Sequence, residues 1–223
     1  MSATGEGFPE LGIYTELGRV GKALASPIRL RLLDILTDGE RTVEELAADA
    51  HVNLKNTSSQ LQILRAAQLV AGRRDGVRIH YRLASDDVAA LLGVFHRFSR
   101  DNVAAVRTEV EMYFAEHADL TPLTAAELRS RLDDGSVLVI DVRPRHEYER
   151  GHIPGAISIP LGELREHLDA LPTDRRIIAY CQGPYCVASP TAASELAAAQ
   201  RDSTYVDGGI TSWIWSGGRL ESA

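Results

Sequence analysis

The sequence predicts two domains of different class: a mainly helical N-terminal part that closes on a β-hairpin, and a C-terminal α/β part with a parallel sheet covered by helices on both faces. Three observations carry this. Short amphipathic helical segments fill residues 26–67 and are followed by two strand-like runs around a tight turn. From Leu123 the pattern changes to alternating strands and helices. Charge divides with the pattern: the chain is -7 overall, yet residues 20–84 carry a net +3 and residues 119–223 a net -5. At 223 residues there is room for two cores, and the expected domains are 1–118 and 119–223.

Each helical element has its own signal. Ser26-Pro27 supplies a hydroxyl cap and a proline at the first helical position, and Gly39 is a natural stop. Thr42 with Glu45 reads as a capping box opening a second helix through Ala48. Asn53 caps a third, to about Ala67, with Leu54, Thr57, Leu61 and Leu64 on its core side. Lys55, Asn56, Ser59 and Gln62 project from the opposite side, and Ile63 also faces outward with no reason in the pattern. Two helices followed by one with a polar outer face is the helix-turn-helix order, whose last helix enters the major groove of DNA.

A wing follows. Leu69 to Arg74 and Val77 to Leu83 are strand-like, separated by Asp75-Gly76, a two-residue hairpin signal. Arg73, Arg74 and Arg78 make this hairpin basic, suited to positioning on phosphate. After it, Val88, Leu91, Leu92, Phe95 and Phe98 give an apolar stripe to a single long helix over about 86–116.

These elements, with Lys22 to Leu30, Val52 to Val70 and Arg73 through Tyr81, resemble the ArsR/SmtB family of bacterial regulators over about Leu17 to Val110. The resemblance implies a winged helix-turn-helix that binds a double-stranded DNA operator as a homodimer, built from the first helix and the long helix after the wing. Family members often sense metals through thiolates or clustered imidazoles and carboxylates. Here the helix from Val43 to Ala48 has no cysteine, and His96 and His117 stand apart, so no metal site is expected. The first half has DNA-binding elements and no sensor.

The second half holds both cysteines of the chain, Cys181 and Cys186. Two thiols in one short loop are not a disulfide framework and point to a reducing compartment. No apolar run reaches the length of a membrane span, and Met1 to Pro9 lack the features of a secretory signal; a cytoplasmic protein with no membrane partner is expected. Cys181 directly follows the strand Ile177 to Tyr180, and sites in parallel α/β folds lie just beyond the carboxyl ends of strands. The loop Gln182, Gly183, Pro184, Tyr185, Cys186 leads into a helix from Val187 to Ala199. Inward-turned loop N–H groups and that helix's N-terminus should favour a Cys181 thiolate, the nucleophilic form.

Asp141-Val142-Arg143, Glu147-Tyr148, Gly151 to Ala156, the six-residue loop and Asp207-Gly208-Gly209 with Trp213 together resemble the rhodanese domain over about Leu120 to Leu220. The resemblance implies that Cys181 takes sulfane sulfur from a donor as a persulfide and passes it to a thiol acceptor, without a cofactor. Asp141 and Arg143 would be structural or near-site charges. Where the family carries loop arginines, this chain has Gln182 and Cys186, which weakens the case for an anionic donor such as thiosulfate and raises the Cys181 pKa. Cys186 has two readings, a resolving thiol that closes a disulfide on a Cys181 persulfide or a small hydrophobe at a helix start. The halves together suggest a regulator whose DNA output follows sulfur chemistry at Cys181. A sulfurtransferase with an autoregulatory DNA-binding part is the alternative, and a soft-metal or arsenite receptor at the cysteine pair, lacking a third ligand, is a lesser one.

Overall fold

The computed structural model describes residues 8–117 and 119–222; Ala118, Ala223 and the first seven residues, which were read as free of a secretory signal, lie outside them. By internal contacts the chain forms two units divided after Val88.

The first unit contains α1 (Leu11–Leu24), α2 (Pro27–Leu36), β1 (Arg41–Thr42), α3 (Val43–Ala50), α4 (Leu54–Ala66), β2 (Val70–Asp75) and β3 (Arg78–Leu83). Its caps follow the sequence. Thr42 and Glu45 exchange hydrogen bonds with each other's backbone N–H, and Asn53 accepts from Asn56 N–H. Ser26 occupies the N-cap of α2 without a side-chain cap bond, and Pro27 sits at the first turn. Leu32, Leu33, Leu36, Leu46, Leu61, Leu64 and Tyr81 form the core. Arg29 joins three helices, donating to Gln60 at 2.7 Å and to the Lys22 carbonyl at 2.8 Å.

The antiparallel sheet has the order β1-β3-β2, with Asp75 opposite Arg78. The two-residue turn is therefore Gly76-Val77, one position later than the sequence placed it. Gly76 takes the positive φ of 59° that the turn's first position demands.

The second unit takes in most of α5 (Asp86–Asn102), then α6 (Ala104–Tyr113), α7 (Ala125–Asp133), β4 (Val137–Asp141), α8 (Arg145–Arg150), β5 (Ile157–Ser158), α9 (Leu164–His167), β6 (Arg176–Tyr180), α10 (Ala188–Ala198), β7 (Ser203–Tyr205) and α11 (Gly209–Trp215). The single helix expected over about 86–116 is two helices. Val103 is extended between them, with φ -107° and ψ 103°. Asp101-Asn102-Val103 explains the break: two short polar side chains that compete for backbone bonds precede a β-branched residue. Helix α9 has four residues and is flanked by 3-10 turns at Leu161–Glu163 and Leu168–Ala170. Pro190 falls in the first turn of α10, where its missing N–H costs nothing.

The parallel sheet runs β5-β4-β6-β7. Side-chain alternation builds two cores: Val139, Ile178, Tyr180 and Trp213 on one face, Ile140, Ile177, Ala179, Cys181 and Leu196 on the other. Both faces are covered by helices, as the sequence predicts. Among the described residues no helix is long and apolar enough to cross a membrane.

Candidate functional site

Cys181 sits one residue beyond β6, with its thiol on the α10 face of the sheet and 1 % of the residue exposed. Two hydrogen bonds from α11 seat the loop: Ile210 N–H donates to the Cys181 carbonyl at 2.9 Å, and the Thr211 hydroxyl donates to Gln182 at 2.7 Å. Gly183 accepts from Cys186 N–H within the loop. The Cys186 N–H is thereby turned to the loop backbone and not to the sulfur. Instead the Cys181 thiol lies 3.3 Å from the Cys186 carbonyl, to which it donates, and 3.1 Å from the Ser189 hydroxyl.

A buried thiol facing a carbonyl keeps its proton. Burial pushes the Cys181 pKa well above its ordinary value, the neighbouring Cys186 thiol adds to the rise, and the Ser189 hydroxyl and N–H oppose it. The expectation of a favoured thiolate is thereby corrected. Helix polarity at the start of α10 is outweighed by loss of water around the sulfur.

Asp141 and Arg143 form a buried structural pair, one of the two roles expected of them. Arg143 lays its guanidinium on the Asp141 carboxylate at 2.7 and 3.0 Å and donates to the Gly151 carbonyl at 2.8 Å, all buried. The Tyr180 hydroxyl donates to Asp141 at 2.7 Å and accepts from Ile153 N–H. Burial first, and then the Asp141 charge, push the Tyr180 pKa up, which keeps the phenol a donor. Tyr180 and Cys181 alternate across the sheet, so this cluster anchors the end of β6 from the opposite face.

A cavity of about 520 Å³ opens beside the loop, lined by Gly183, Pro184, Tyr185, Cys186 and Ser189. Its opposite wall is α5, which presents Gly93, His96, Arg97 and Arg100 at helical spacing. His96 stacks on Trp215 with ring centroids 4.8 Å apart and meets the Tyr185 hydroxyl at 3.1 Å. Arg100 pairs with Asp207 at 2.6 Å. A Cβ at Gly93 would lie 2.7 Å from the Trp215 Cβ, so only glycine lets the helix approach this closely. Sequence reasoning missed Ser189, Trp215, Arg97 and Arg100; the i, i+3, i+4, i+7 spacing on the polar side of α5 was the available signal. Among the described residues no group of three metal-ligating side chains comes together.

In the first unit Lys55, Ser59 and Gln62 lie on the exposed face of α4, as expected. Asn56 is half-buried and accepts from Gln60 at 3.0 Å. Gln62 also donates to the Tyr81 hydroxyl at 3.1 Å. Leu54, assigned to the core by its spacing, is 49 % exposed and lines a groove with Lys55, Ser58, Ser59, Val77 and Ile79. The wing arginines separate, because adjacent strand residues alternate. Arg73 and Arg78 share one face, and Arg74 lies on the other with Ile79 and Tyr81. Arg73 is held by Glu40 at 2.7 Å and Asp75 at 3.5 Å, contacts that raise its pKa and offset its charge.

Residues 26–71 match the bacterial regulatory protein arsR family, and residues 124–214 match the rhodanese-like domain. The HTH-type transcriptional regulator Rv0324 of Mycobacterium tuberculosis is 40 % identical over 213 residues, 96 % of this chain and 93 % of that protein. The tRNA uridine(34) hydroxylase of Escherichia coli O157:H7 is 31 % identical over 137 residues, which cover 59 % of this chain and 37 % of the enzyme. A winged helix-turn-helix DNA-binding domain from Mycobacterium bovis, described as homodimeric, is 37 % identical, with a TM-score of 0.42 over 46 % of this chain and 95 % of that one. The chain belongs to the HTH-type transcriptional regulators in which an arsR-family DNA-binding domain precedes a rhodanese-like domain.

Proposed function

We propose that this regulator reads sulfane sulfur: Cys181 accepts it as a persulfide, and the change alters how the chain occupies its operator. The observation that carries the reading is the seat of Cys181, at the carboxyl end of β6, buried against Ser189 and the second thiol residue, Cys186. That burial favours a sensor over a turnover enzyme. A persulfide held away from water and free thiols persists, whereas rapid transfer to acceptors needs access. In this reading residues 1–118 bind DNA and dimerise and residues 119–223 handle sulfur, in the cytoplasm, with small thiol persulfides or proteins as donors and acceptors. The exposed apolar side chains of α1 (Leu11, Ile13, Tyr14, Leu17) and α5 (Leu91, Val94, Phe95, Phe98) are the surfaces we assign to the homodimer.

The test is intact-mass spectrometry of the full chain after exposure to polysulfide, alongside operator binding by fluorescence anisotropy. Wild type should gain the mass of one sulfur and shift its DNA affinity at least about tenfold, equivalent to about 1.4 kcal/mol. Cys181→Ser should show neither a lasting adduct at that position nor the affinity shift. If the variant answers polysulfide with the same change in DNA binding as wild type, the reading fails.

On DNA, Lys55, Arg74 and Arg78 are assigned to phosphate, and Ser59 and Gln62 to the groove. Arg74→Ala and Arg78→Ala should each weaken binding evenly across sequences and reduce the salt slope by about one. Ser59→Ala should instead change the preference among operator variants. A double arginine variant with an unchanged salt slope would take the wing off the DNA.

A further inference from the structure

The residue expected to meet the sulfur donor is the one the donor cannot reach. Cys181 is 1 % exposed and does not line the cavity, whereas Cys186 is partly exposed and does. The Cys181 thiol lies 3.3 Å from the Cys186 carbonyl, so the two cysteines face each other across the loop. Building on the persulfide reading above, we propose that Cys186 is the receiving thiol: it takes sulfane sulfur from a small organic persulfide in the cavity and relays it inward to Cys181.

The chemistry balances without another reagent. The Cys186 sulfur, as thiolate, attacks the outer sulfur of the donor R–S–SH; the donor's S–S bond breaks, and R–S⁻ leaves and takes up the proton Cys186 gave up. The Cys181 sulfur then attacks the outer sulfur of the Cys186 persulfide. A new S–S bond forms on Cys181, the bond to Cys186 breaks, and the Cys181 proton ends on the Cys186 thiol. The net change is R–S–SH plus the Cys181 thiol giving R–SH plus the Cys181 persulfide. Sulfane sulfur changes owner twice, and no external oxidant or reductant is consumed.

The cavity also indicates the class of donor. Its wall carries both signs, with Arg97 and Arg100 beside Glu111 and Asp207, and its volume of about 520 Å³ suits an organic molecule better than a small inorganic anion. These features fit the persulfide of a zwitterionic, carboxylate-bearing thiol.

The test is rapid-quench loading of the full chain with glutathione persulfide, followed by intact mass and peptide mapping. Wild type should carry sulfur first on Cys186 and at the end point on Cys181. Cys181→Ser should hold its sulfur on Cys186. Cys186→Ser and Cys186→Ala, each confirmed folded by tryptophan fluorescence, should load Cys181 at least about tenfold more slowly. Loading of Cys181 at the wild-type rate in both Cys186 variants would overturn the relay while leaving the persulfide reading intact. A wild-type chain that takes up no sulfur at all would overturn both.

Discussion

Arg143→Ala is expected to cost the sheet-bearing unit about 3–5 kcal/mol, the usual penalty for removing one partner of a buried ion pair. Arg143 and Asp141 are 3 % and 0 % exposed, and the guanidinium also satisfies the Gly151 carbonyl. Without it the Asp141 carboxylate stays buried with only hydroxyl and backbone donors, and the Gly151 carbonyl loses its donor. Tyr180→Phe should cost less, about 1–3 kcal/mol, because it strands an N–H of Ile153 and one carboxylate bond but no charge. Both tryptophans of the chain, Trp213 and Trp215, belong to this unit, so urea unfolding followed by intrinsic fluorescence reads it without interference from the other. A loss below about 1 kcal/mol for Arg143→Ala would mean that the cluster relaxes or hydrates. The anchoring of β6 would then have to come from packing alone.

The Asp141-Arg143-Tyr180 cluster also shows where sequence reasoning reaches its limit. Local signals translated directly into structure: the capping box at Thr42, the Asn53 cap, and the strand that ends just before Cys181 all depend on residues within a few positions of each other. What was misjudged depends on tertiary surroundings. Leu54 has core spacing, yet at the first position of α4 it faces an open groove beside Val43 and Val77 and is exposed. Asp141 and Arg143 leave two roles open in the sequence, structural or near-site, and only the buried contact to Tyr180, whose side chain lies on the face opposite Cys181, shows the structural one. The strand end and the following helix argue for a Cys181 thiolate. Its burial comes from α10 and the returning Cys186 carbonyl, and no motif spells out that enclosure. The α5 wall was missed for a related reason, since Gly93, His96 and Arg100 acquire a role only once Trp215 and Asp207 lie against them.

Gly209→Ala should be the most damaging small substitution in the site, at about 3 kcal/mol from two additive causes. Its φ of +54° is a left-handed conformation that costs a residue with a Cβ roughly 1–2 kcal/mol. A Cβ there would also run into the Cys181 carbonyl, and the backbone can clear it only by moving away, adding an overpacking penalty of about 1–3 kcal/mol. The first contribution can be isolated at Gly217, where φ is +79° and nothing lies within 4 Å of a new Cβ, so Gly217→Ala should cost only the conformational share. The second has a chemical consequence. Moving Gly209 pulls Ile210 N–H off the Cys181 carbonyl, releasing the loop that holds the thiol under Cys186. Gly209→Ala should therefore lose stability by tryptophan fluorescence and, in the folded fraction, let iodoacetamide reach Cys181 faster than in wild type, while Gly217→Ala leaves that rate unchanged. Equal stability losses in the two variants, with no change in Cys181 alkylation, would show that the collision is absorbed elsewhere and that the contact between α11 and the loop does not keep the thiol covered.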